Sequence, residues 1–337
     1  MSGVDQGRYA DAVNDALERL AGDGPVWGPG LAAHAPMAAE ALASLGFYDE
    51  VPRWVERYRT DRRYAVLPES REPLVAGDRA GQDAALGDFG RFADWVALFE
   101  RELAERAWRD VLLEWWPRLL PGGAGILGHG LIRAAHAARG LDLAGEPTAV
   151  QLGEFAQGLA LWAAKFWVPP GGGALPPGTL PPGASAAPAA EDARRALVEA
   201  TARVAGTLAD RPPAPAVPIV HSVTIPMAVD MMLPMLPLSL HQEAYRQALI
   251  ASGAIFRTFA GHLPAEGRRR GGAPGPVPSL REGIAAAVET GDEHAIKLAE
   301  VCARGATAHV DNEPYLRAVA MLVHQLGNGR AMPGFRR

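Results

Sequence analysis

The amino-acid sequence predicts an all-α protein, a large helical bundle whose connections are rich in proline and glycine. Apolar residues recur with the 3.6-residue period of a helix along most of the 337 residues. No stretch of convincing length alternates apolar and polar residues between turn signals, as a half-buried strand would. The length suits one large helical domain or two closely packed ones, and we take residues 1–337 as a single domain.

The predicted helices follow one another from the N-terminus. The first, Tyr9–Leu20, carries its apolar residues on one stripe. The second, Met37–Leu45, has Pro36 in its first turn and Gly46 as its stop. Further helices are predicted at Phe89–Leu119 (as two helices), Leu131–Arg139 (closed by Gly140), Thr148–Phe166, Glu191–Leu208, His241–Phe259, Leu280–Glu289, Glu293–Ala303 and Glu313–Leu326.

Three segments have a different character. Residues 168–188 and 268–278 are rich in proline and glycine, which predicts flexible loops. Val217–Leu240 contains a single charge, Asp230, and so has the composition of a membrane span. Its four prolines are expected to break a spanning helix and leave backbone groups unpaired in lipid. We therefore predict that this segment is buried protein core.

The composition excludes several classes of protein. The hydrophobic share of 48% is ordinary for a globular chain, and a net charge of −5, from 33 basic and 38 acidic residues, offers no basic surface to nucleic acid. Cys302 is the sole cysteine, so neither an intrachain disulfide nor a thiolate metal cluster can form. Charges run through residues 1–20, which lack the apolar core of a signal peptide. We expect a soluble, cytoplasmic protein that binds neither nucleic acid nor membranes.

Three short motifs resemble functional signatures without their structural context. Gly123–Gly128 spells GxGxxG, but a dinucleotide site needs a strand before it, and the preceding residues are rich in tryptophan and proline. His241–Glu243 and His309–Asp311 carry the HxE/D half of an iron site, a spacing that shares one face on a strand but not on a helix. The sequence contains no HExxH, ExxH, His-Asp or GxSxG motif.

The histidines are the strongest candidates for chemistry. Most lie in apolar surroundings, and neutral imidazole is costly to bury without a partner and binds iron or zinc well. A single histidine of this kind is more often a satisfied core residue. His129 and His136 share a helix face but lie about 10 Å apart, so only one is expected to bind an ion directly. The nine are His34, His129, His136, His221, His241, His262, His294, His309 and His324.

His294 and Lys297 are close enough on one helix for both side chains to reach a common centre. The helical wheel places Lys297 at the edge of the apolar stripe. On geometry alone, an ion pair from Glu293 to Lys297 is the simpler interpretation.

Four segments together resemble the questin oxidase-like family, and they occur in the family's order over most of the chain. They are His34–Leu42 (HAPMAAEAL), Gly128–His136 (GHGLIRAAH), His221–Thr224 (HSVT) and Asp292–Lys297 (DEHAIK). The family includes fungal enzymes that oxidatively open anthraquinone rings in aromatic polyketide pathways. Some members are described as Baeyer–Villiger-type enzymes and others as non-haem iron dioxygenases, whose metal is held by four histidines and a carboxylated lysine.

The resemblance implies a metal site made of His34, His129, His221, His294 and Lys297. It also makes chemical sense of a buried lysine, because an ammonium would be repelled by a divalent metal. Burial favours the neutral amine, which can add carbon dioxide and become an anionic carbamate ligand.

The resulting hypothesis is an iron(II)-dependent oxygenase that uses dioxygen on an aromatic polyketide or quinone-like substrate. It would cleave a carbon–carbon bond or insert oxygen beside a carbonyl. His136 and Arg133, one turn apart on the His129 helix, are the candidate catalytic residues that steer a proton or orient a phenolate, with a surface salt bridge as the alternative for Arg133. The sequence leaves the metal, the substrate, a need for NADPH and the oligomeric state open.

Two other classes fit the same residues. A metal-free helical protein that binds an apolar small molecule or a partner chain would also bury histidines beside methionine and tryptophan. A metal-dependent hydrolase with a carboxylated lysine is the third hypothesis, although the sequence shows no evident position for the aspartate that such sites use.

Overall fold

The computed structural model describes residues 4–28, 30–60, 62, 64–170, 188–210, 216–259, 276–308 and 312–327. Helices, α and 3-10 together, hold 77% of these residues, which confirms the all-α prediction. In this part of the chain the only paired strands form a short antiparallel ribbon, β1 (Val26–Trp27) with β2 (Leu31–Ala32). Most of the predicted loop 168–188 and of the predicted loop 268–278 lies outside the described residues.

The described residues fall into two compact units. The first is bounded by Met1–Pro170 and includes Pro234–Leu236, and the second comprises Gly171–Leu233 and Pro237–Arg337. Helices of the first unit are α1 (Gln6–Arg19), α2 (Ala35–Ser44), α3 (Val51–Thr60), α4 (Arg79–Ala85), α5 (Phe92–Glu105), α6 (Trp108–Leu119), α7 (His129–Ala144) and α8 (Ala149–Ala164). Helices of the second unit are α9 (Ala193–Asp210), α10 (Val217–Met232), α11 (His241–Phe259), α12 (Leu280–Thr290), α13 (Glu293–Ala308) and α14 (Glu313–Gly327).

The core of the first unit is built around α7, which packs against α1, α2 and α8. Two glycines permit the close approach of α7 and α8. A Cβ on Gly130 would lie 2.4 Å from the Cα of Trp162, and a Cβ on Gly158 would lie 2.8 Å from the Cα of Ala134. Any larger residue at either position would push the helices apart. The side chains of α7 are therefore held tightly in place.

The core of the second unit is α10, every residue of which is buried except Pro218. The helix continues through Pro226, so the expectation that prolines interrupt this segment is wrong at that position. Proline has no N–H for the carbonyl of Ser222, four residues earlier. The Ser252 hydroxyl donates to that carbonyl at 2.6 Å instead, which explains why the helix tolerates the proline.

One segment of the described chain, Val217–Met235, has the length and hydropathy of a membrane span, and 89% of the tested window is buried inside the protein. The prediction that this segment is core agrees with that burial.

The remaining differences from the predicted helices have local causes. Gly140 does not end α7. The helix begins two residues earlier than predicted and runs to Ala144, where Gly145 takes a positive φ of 76°. The short helices α3 and α4 have no counterpart among the predictions. The predicted helix His241–Phe259 is confirmed to the residue.

Candidate metal centre

The first unit brings two of the predicted ligands together. The Nε2 atoms of His34 and His129 face each other at 2.5 Å, and both side chains are buried. His34 lies just before α2, and its backbone N–H donates to the Tyr58 hydroxyl at 2.8 Å. His129 is the first residue of α7. Two residues 95 positions apart in sequence thus meet where two helices begin.

The orientation of His129 depends on a strained turn before α7. Ile126 and Leu127 take left-handed backbone angles, with φ of 44° and 57°, which is costly for side chains of this size. The turn brings the Ile126 carbonyl against the His129 ring, where Nδ1 donates to it. Because Nδ1 carries the hydrogen, Nε2 is the ring nitrogen whose lone pair can accept a hydrogen bond or bind a metal.

The glycines of the GxGxxG pattern serve this turn. A Cβ on Gly125 would collide with the Lys165 carbonyl at 1.8 Å, and Gly128 has a φ of 79° immediately before His129. The segment that precedes them is helical rather than a strand. The pattern therefore positions a histidine, and the structural context of a dinucleotide site is missing.

The second unit brings the other two histidines together. The His221 and His294 rings are buried and meet edge to face, with centroids 5.5 Å apart and a ring nitrogen of one within 4.8 Å of a ring nitrogen of the other. His221 lies on α10, where its Nδ1 donates to the carbonyls of Val217 and Pro218 at 3.1 and 3.0 Å. As in His129, a hydrogen on Nδ1 makes Nε2 the ring nitrogen that carries the lone pair.

His294 is positioned by the residue that caps α13. The Asp292 carboxylate accepts from the backbone N–H groups of His294 and Ala295 at 2.8 and 3.2 Å. The same carboxylate lies 3.4 Å from His294 Nδ1. Burial raises the pKa of Asp292, but its hydrogen bonds to His294, the charge of that ring and the Ala295 amide outweigh burial and lower it. A carboxylate behind a ligating imidazole is a common support of metal sites.

Lys297 lies one turn after His294 and is 2% exposed. Its Nζ has no hydrogen-bond partner among the described residues. The simpler interpretation of this lysine, an ion pair with Glu293, is therefore not realised as a hydrogen bond. Burial lowers the pKa of Lys297 to about 8, although Glu293 and Asp292 oppose the shift. A buried amine that so readily becomes neutral can react or bind, which an ordinary surface lysine does not.

The donors fit a metal ion. Each unit contains a buried pair of histidines, and in each pair at least one ring has its Nδ1 bound to backbone and its Nε2 lone pair directed away. In the first unit, the Nε2 atoms of His34 and His129 are so close that a hydrogen or a cation must lie between them, because two lone pairs would repel. In the second unit, Asp292, Glu293 and His294 form a group that offers oxygen and nitrogen ligands. These buried groups could hold a metal ion.

The two candidate catalytic residues are committed to carboxylates inside the first unit. His136 Nδ1 lies 2.5 Å from Glu40, which Arg139 and the Tyr9 hydroxyl also contact. Arg133 is 4% exposed and binds Glu154 with two parallel hydrogen bonds of 2.6 and 2.7 Å. The salt bridge considered for Arg133 exists, but it is buried rather than on the surface.

Glu40 and Asp292, the carboxylates that contact His136 and His294, are not among the site residues predicted from the sequence. Both lie inside the segments that carry the resemblance, and an aspartate directly before the predicted helix Glu293–Ala303 is a helix-capping signal. Glu40 gave no such signal, because its partner lies 96 positions away.

The two HxE/D motifs do not form a metal site in the described residues. His241 is bound through Nε2 to the Leu233 carbonyl at 2.9 Å, and Glu243 pairs with Arg246. The His309–Asp311 motif lies outside the described residues.

Neither a scan of the chain against models of protein families nor a search of curated proteins found a match.

Proposed function

We propose that His34, His129, His221, His294 and Lys297 bind one divalent metal ion, and that the protein is a metal-dependent oxygenase. Each unit would supply two histidines, and the second would add the lysine. The observation that carries the proposal is that all five residues are buried, with exposures of 6%, 4%, 2%, 6% and 2%. Chance resemblance of four short motifs would leave some of these polar side chains at the surface.

The lysine would act as a carbamate. Its neutral amine nitrogen attacks the carbon of carbon dioxide, a C–N bond forms, and one proton leaves Nζ for solvent. The product carries one negative charge on two oxygens. Four neutral imidazoles leave both charges of a divalent ion uncompensated, so an anionic fifth ligand suits this donor set. The absence of a hydrogen-bond partner for Nζ among the described residues leaves room for this role.

The proposed substrates are dioxygen and an electron-rich aromatic or quinone-like compound, and the proposed reaction is oxidative carbon–carbon cleavage or oxygen insertion beside a carbonyl. Iron(II), when bound, supplies the redox chemistry that dioxygen requires. The residues of the chain would hold the ion and orient its histidine ligands. The Ile126 carbonyl and the carbonyls at the start of α10 orient the His129 and His221 rings, and the Asp292 carboxylate accepts from the His294 backbone N–H and lies 3.4 Å from its Nδ1.

His136 is placed to stabilise the site rather than to bind the ion. It lies two turns along α7 from His129 and is bound to Glu40. Arg133 lies between them on the same helix, with one nitrogen of its guanidinium still available. We propose that Arg133, paired with Glu154, orients an oxygen atom of the substrate.

Metal content is the first test. Protein purified without added metal should contain one equivalent per chain by inductively coupled plasma mass spectrometry. His129→Ala in the first unit and His221→Ala in the second should each remove the same single equivalent, because both pairs serve one ion. His241→Ala is the matched control, since that ring binds a backbone carbonyl, and it should keep the metal.

Two results would contradict the shared site. Two equivalents per chain, each lost independently, would show two separate sites. Less than a small fraction of one equivalent, with no metal taken up from iron(II) solution, would leave a metal-free binding protein as the better reading.

Carbamate and activity need separate readouts. Protein equilibrated with ¹³C-bicarbonate should show a carbamate carbon signal that Lys297→Met lacks. Iron-loaded protein should consume dioxygen in the presence of polyhydroxylated aryl ketones and quinones, and the chelated protein should not. A metal-loaded protein that consumes no dioxygen with any of these compounds would retain the site and refute the oxygenase.

A further inference from the structure

A group of charged side chains in the second unit joins α10 to α13, away from the histidine pair. The Asp230 carboxylate of α10 is 1% exposed and accepts from Arg304 Nη1 of α13 at 2.7 Å. It also accepts from Arg194 Nε of α9 at 2.8 Å. Arg304 donates in addition to the buried Glu300 carboxylate, one turn earlier on α13, at 2.6 Å. The two positive charges of this group balance its two negative charges, and the proposed metal chemistry uses none of them.

Helices α10 and α13 are thus joined at two levels. At one level His221 meets His294, and at the other Asp230 meets Arg304. The steps from residue 221 to 230 and from 294 to 304 follow the same chain direction, so the two helices run parallel here. At the rise of an α-helix, the levels lie about 14–15 Å apart. Both helices are continuous over this length, so a contact that fixes one level also constrains the other.

The pair of Asp230 and Arg304 is better suited to fixing a register than to adding stability. A buried ion pair often stabilises a core no more than apolar side chains of the same volume, because both charges lose their hydration. Its particular contribution is positional, since a short carboxylate and its partner meet at one alignment of the helices. A slip of one residue moves a helix by about 1.5 Å, whereas metal–ligand distances vary by only about 0.2 Å.

We propose that Asp230 and Arg304 set the register of α10 against α13 and thereby position His221 and His294 to bind one ion. The inference rests on the proposed function, because it assigns two positioning residues to that metal centre. Asp230 and Arg304 act through the helices and not as ligands. The register itself is a property of the metal-free chain and can be measured there.

Two substitutions separate the link to α13 from the other contacts of the same carboxylate. Asp230→Leu removes the link, while Arg304 keeps Glu300 as a partner and the half-exposed Arg194 side chain can turn to water. Arg194→Met is the matched control, because it removes a partner of Asp230 but leaves α10 joined to α13. We therefore expect only Asp230→Leu to disturb the histidines.

The first measurement is the contact between the two rings in EDTA-treated protein with isotope-labelled histidine. A nuclear Overhauser effect should connect the His221 and His294 rings, whose centroids lie 5.5 Å apart, and His221→Ala assigns the signal. Asp230→Leu should reduce this effect by at least half, and Arg194→Met should retain it. An undiminished effect in Asp230→Leu would overturn the proposal, and so would an equal reduction in both variants.

The second measurement separates positioning from stability. In competition with a chelator, Asp230→Leu should bind cobalt(II) at least about tenfold more weakly than the wild type, and Arg194→Met should bind it normally. At saturating cobalt(II), the visible absorption of the ion should also change in Asp230→Leu, because its ligands are displaced. Losses of affinity that simply follow the urea midpoints of both variants, with an unchanged spectrum, would indicate a merely structural role and overturn the proposal.

Asp230→Asn replaces Asp230→Leu if the leucine variant does not fold. It keeps the size of the side chain and removes its charge, so it should show the same losses to a smaller extent. An undiminished ring contact in this variant would overturn the proposal equally. Because that contact is measured without metal, a wild-type chain that binds no ion would refute the proposed metal centre, and the ring contact would still decide whether Asp230 sets the register.

Discussion

Helices α2 and α7 bring two pairs of polar side chains together, and the two pairs differ in how their charge is balanced. At the start of both helices His34 faces His129. About 9–10 Å further along each, Glu40 faces His136. The contacts follow the same chain direction on both helices, so the helices run parallel here. One polar layer pairs an imidazole with a carboxylate, while the other pairs two imidazoles.

The difference separates a histidine held by a carboxylate of the chain from two histidines whose ring nitrogens face each other. Glu40 receives hydrogen bonds from His136, Arg139 and Tyr9, so that layer is closed by groups of the chain itself. In the His34–His129 layer the ring orientation is fixed by the Ile126 carbonyl, and the ligand nitrogen is directed at another nitrogen. A cation or a shared hydrogen can complete the His34–His129 layer, whereas the Glu40–His136 layer already pairs its carboxylate with donors of the chain.

Removing the carboxylate of the closed layer should have the largest effect on stability. Glu40→Leu leaves the buried His136 and the part-buried Arg139 without this carboxylate, and breaking a buried pair typically costs about 3–5 kcal/mol. Urea denaturation should show this loss in the free energy of unfolding. Glu243→Leu, which removes a half-exposed carboxylate paired with Arg246, should cost less than about 1 kcal/mol.

The loss of stability at acid pH should depend on the same carboxylate, Glu40. Burial raises the pKa of Glu40, but the charges and hydrogen bonds of Arg139 and His136 outweigh burial and lower it from 4.5 to about 2. Since the folded value lies below the unfolded one, this stability is present above pH 4.5 and is lost as the pH falls toward 2. Glu40→Leu should flatten the stability profile in that window. An unchanged acid profile would mean that the layer contributes no net charge stabilisation.

Exchanging histidine for alanine in each layer should separate metal binding from stability. His34→Ala should weaken metal affinity at least about 100-fold, because it removes a ligand, and change the chelated protein little. His136→Ala should keep the metal and lower the free energy of unfolding by about 1–3 kcal/mol, since Glu40 loses a partner. Competition with a chelator measures the first quantity and denaturation with chelator present measures the second. Equal metal loss in both variants would contradict the prediction that His34 binds the metal and His136 does not.

The sequence predicted the all-α fold because helical periodicity and glycine or proline stops are local signals. It also placed the candidate ligands within recognisable segments, and all of them are buried. The pairing of Glu40 with His136 could not be predicted from the sequence. That contact joins residues 96 positions apart and depends on the register between two helices. The left-handed turn at Ile126 could not be predicted either, because neither isoleucine nor leucine favours such angles. Only the adjacent glycines indicated a turn.

In the second unit, a substitution of Asp292 tests whether a carboxylate beside His294 strengthens metal binding. Asp292→Asn keeps a residue that caps helices well but removes the charge behind His294. Metal affinity should fall about 10–100-fold, the usual effect of losing such a support. Asp78→Asn alters the equivalent cap of α4 and should leave the metal unaffected. If both substitutions reduced metal affinity alike, capping rather than charge would be responsible.

The smallest expected effect concerns the helix that carries His221. Ser252→Ala removes the donor to the Ser222 carbonyl and should cost about 1 kcal/mol of unfolding free energy. Pro226→Ala supplies the missing backbone N–H to that carbonyl, so Ser252→Ala should cost less in its presence. A double-mutant cycle by urea denaturation measures this coupling. Strictly additive costs would show that the serine does not replace the lost helical hydrogen bond. The continuity of α10 beside His221 would then rest on its packing against α9, α11 and α13.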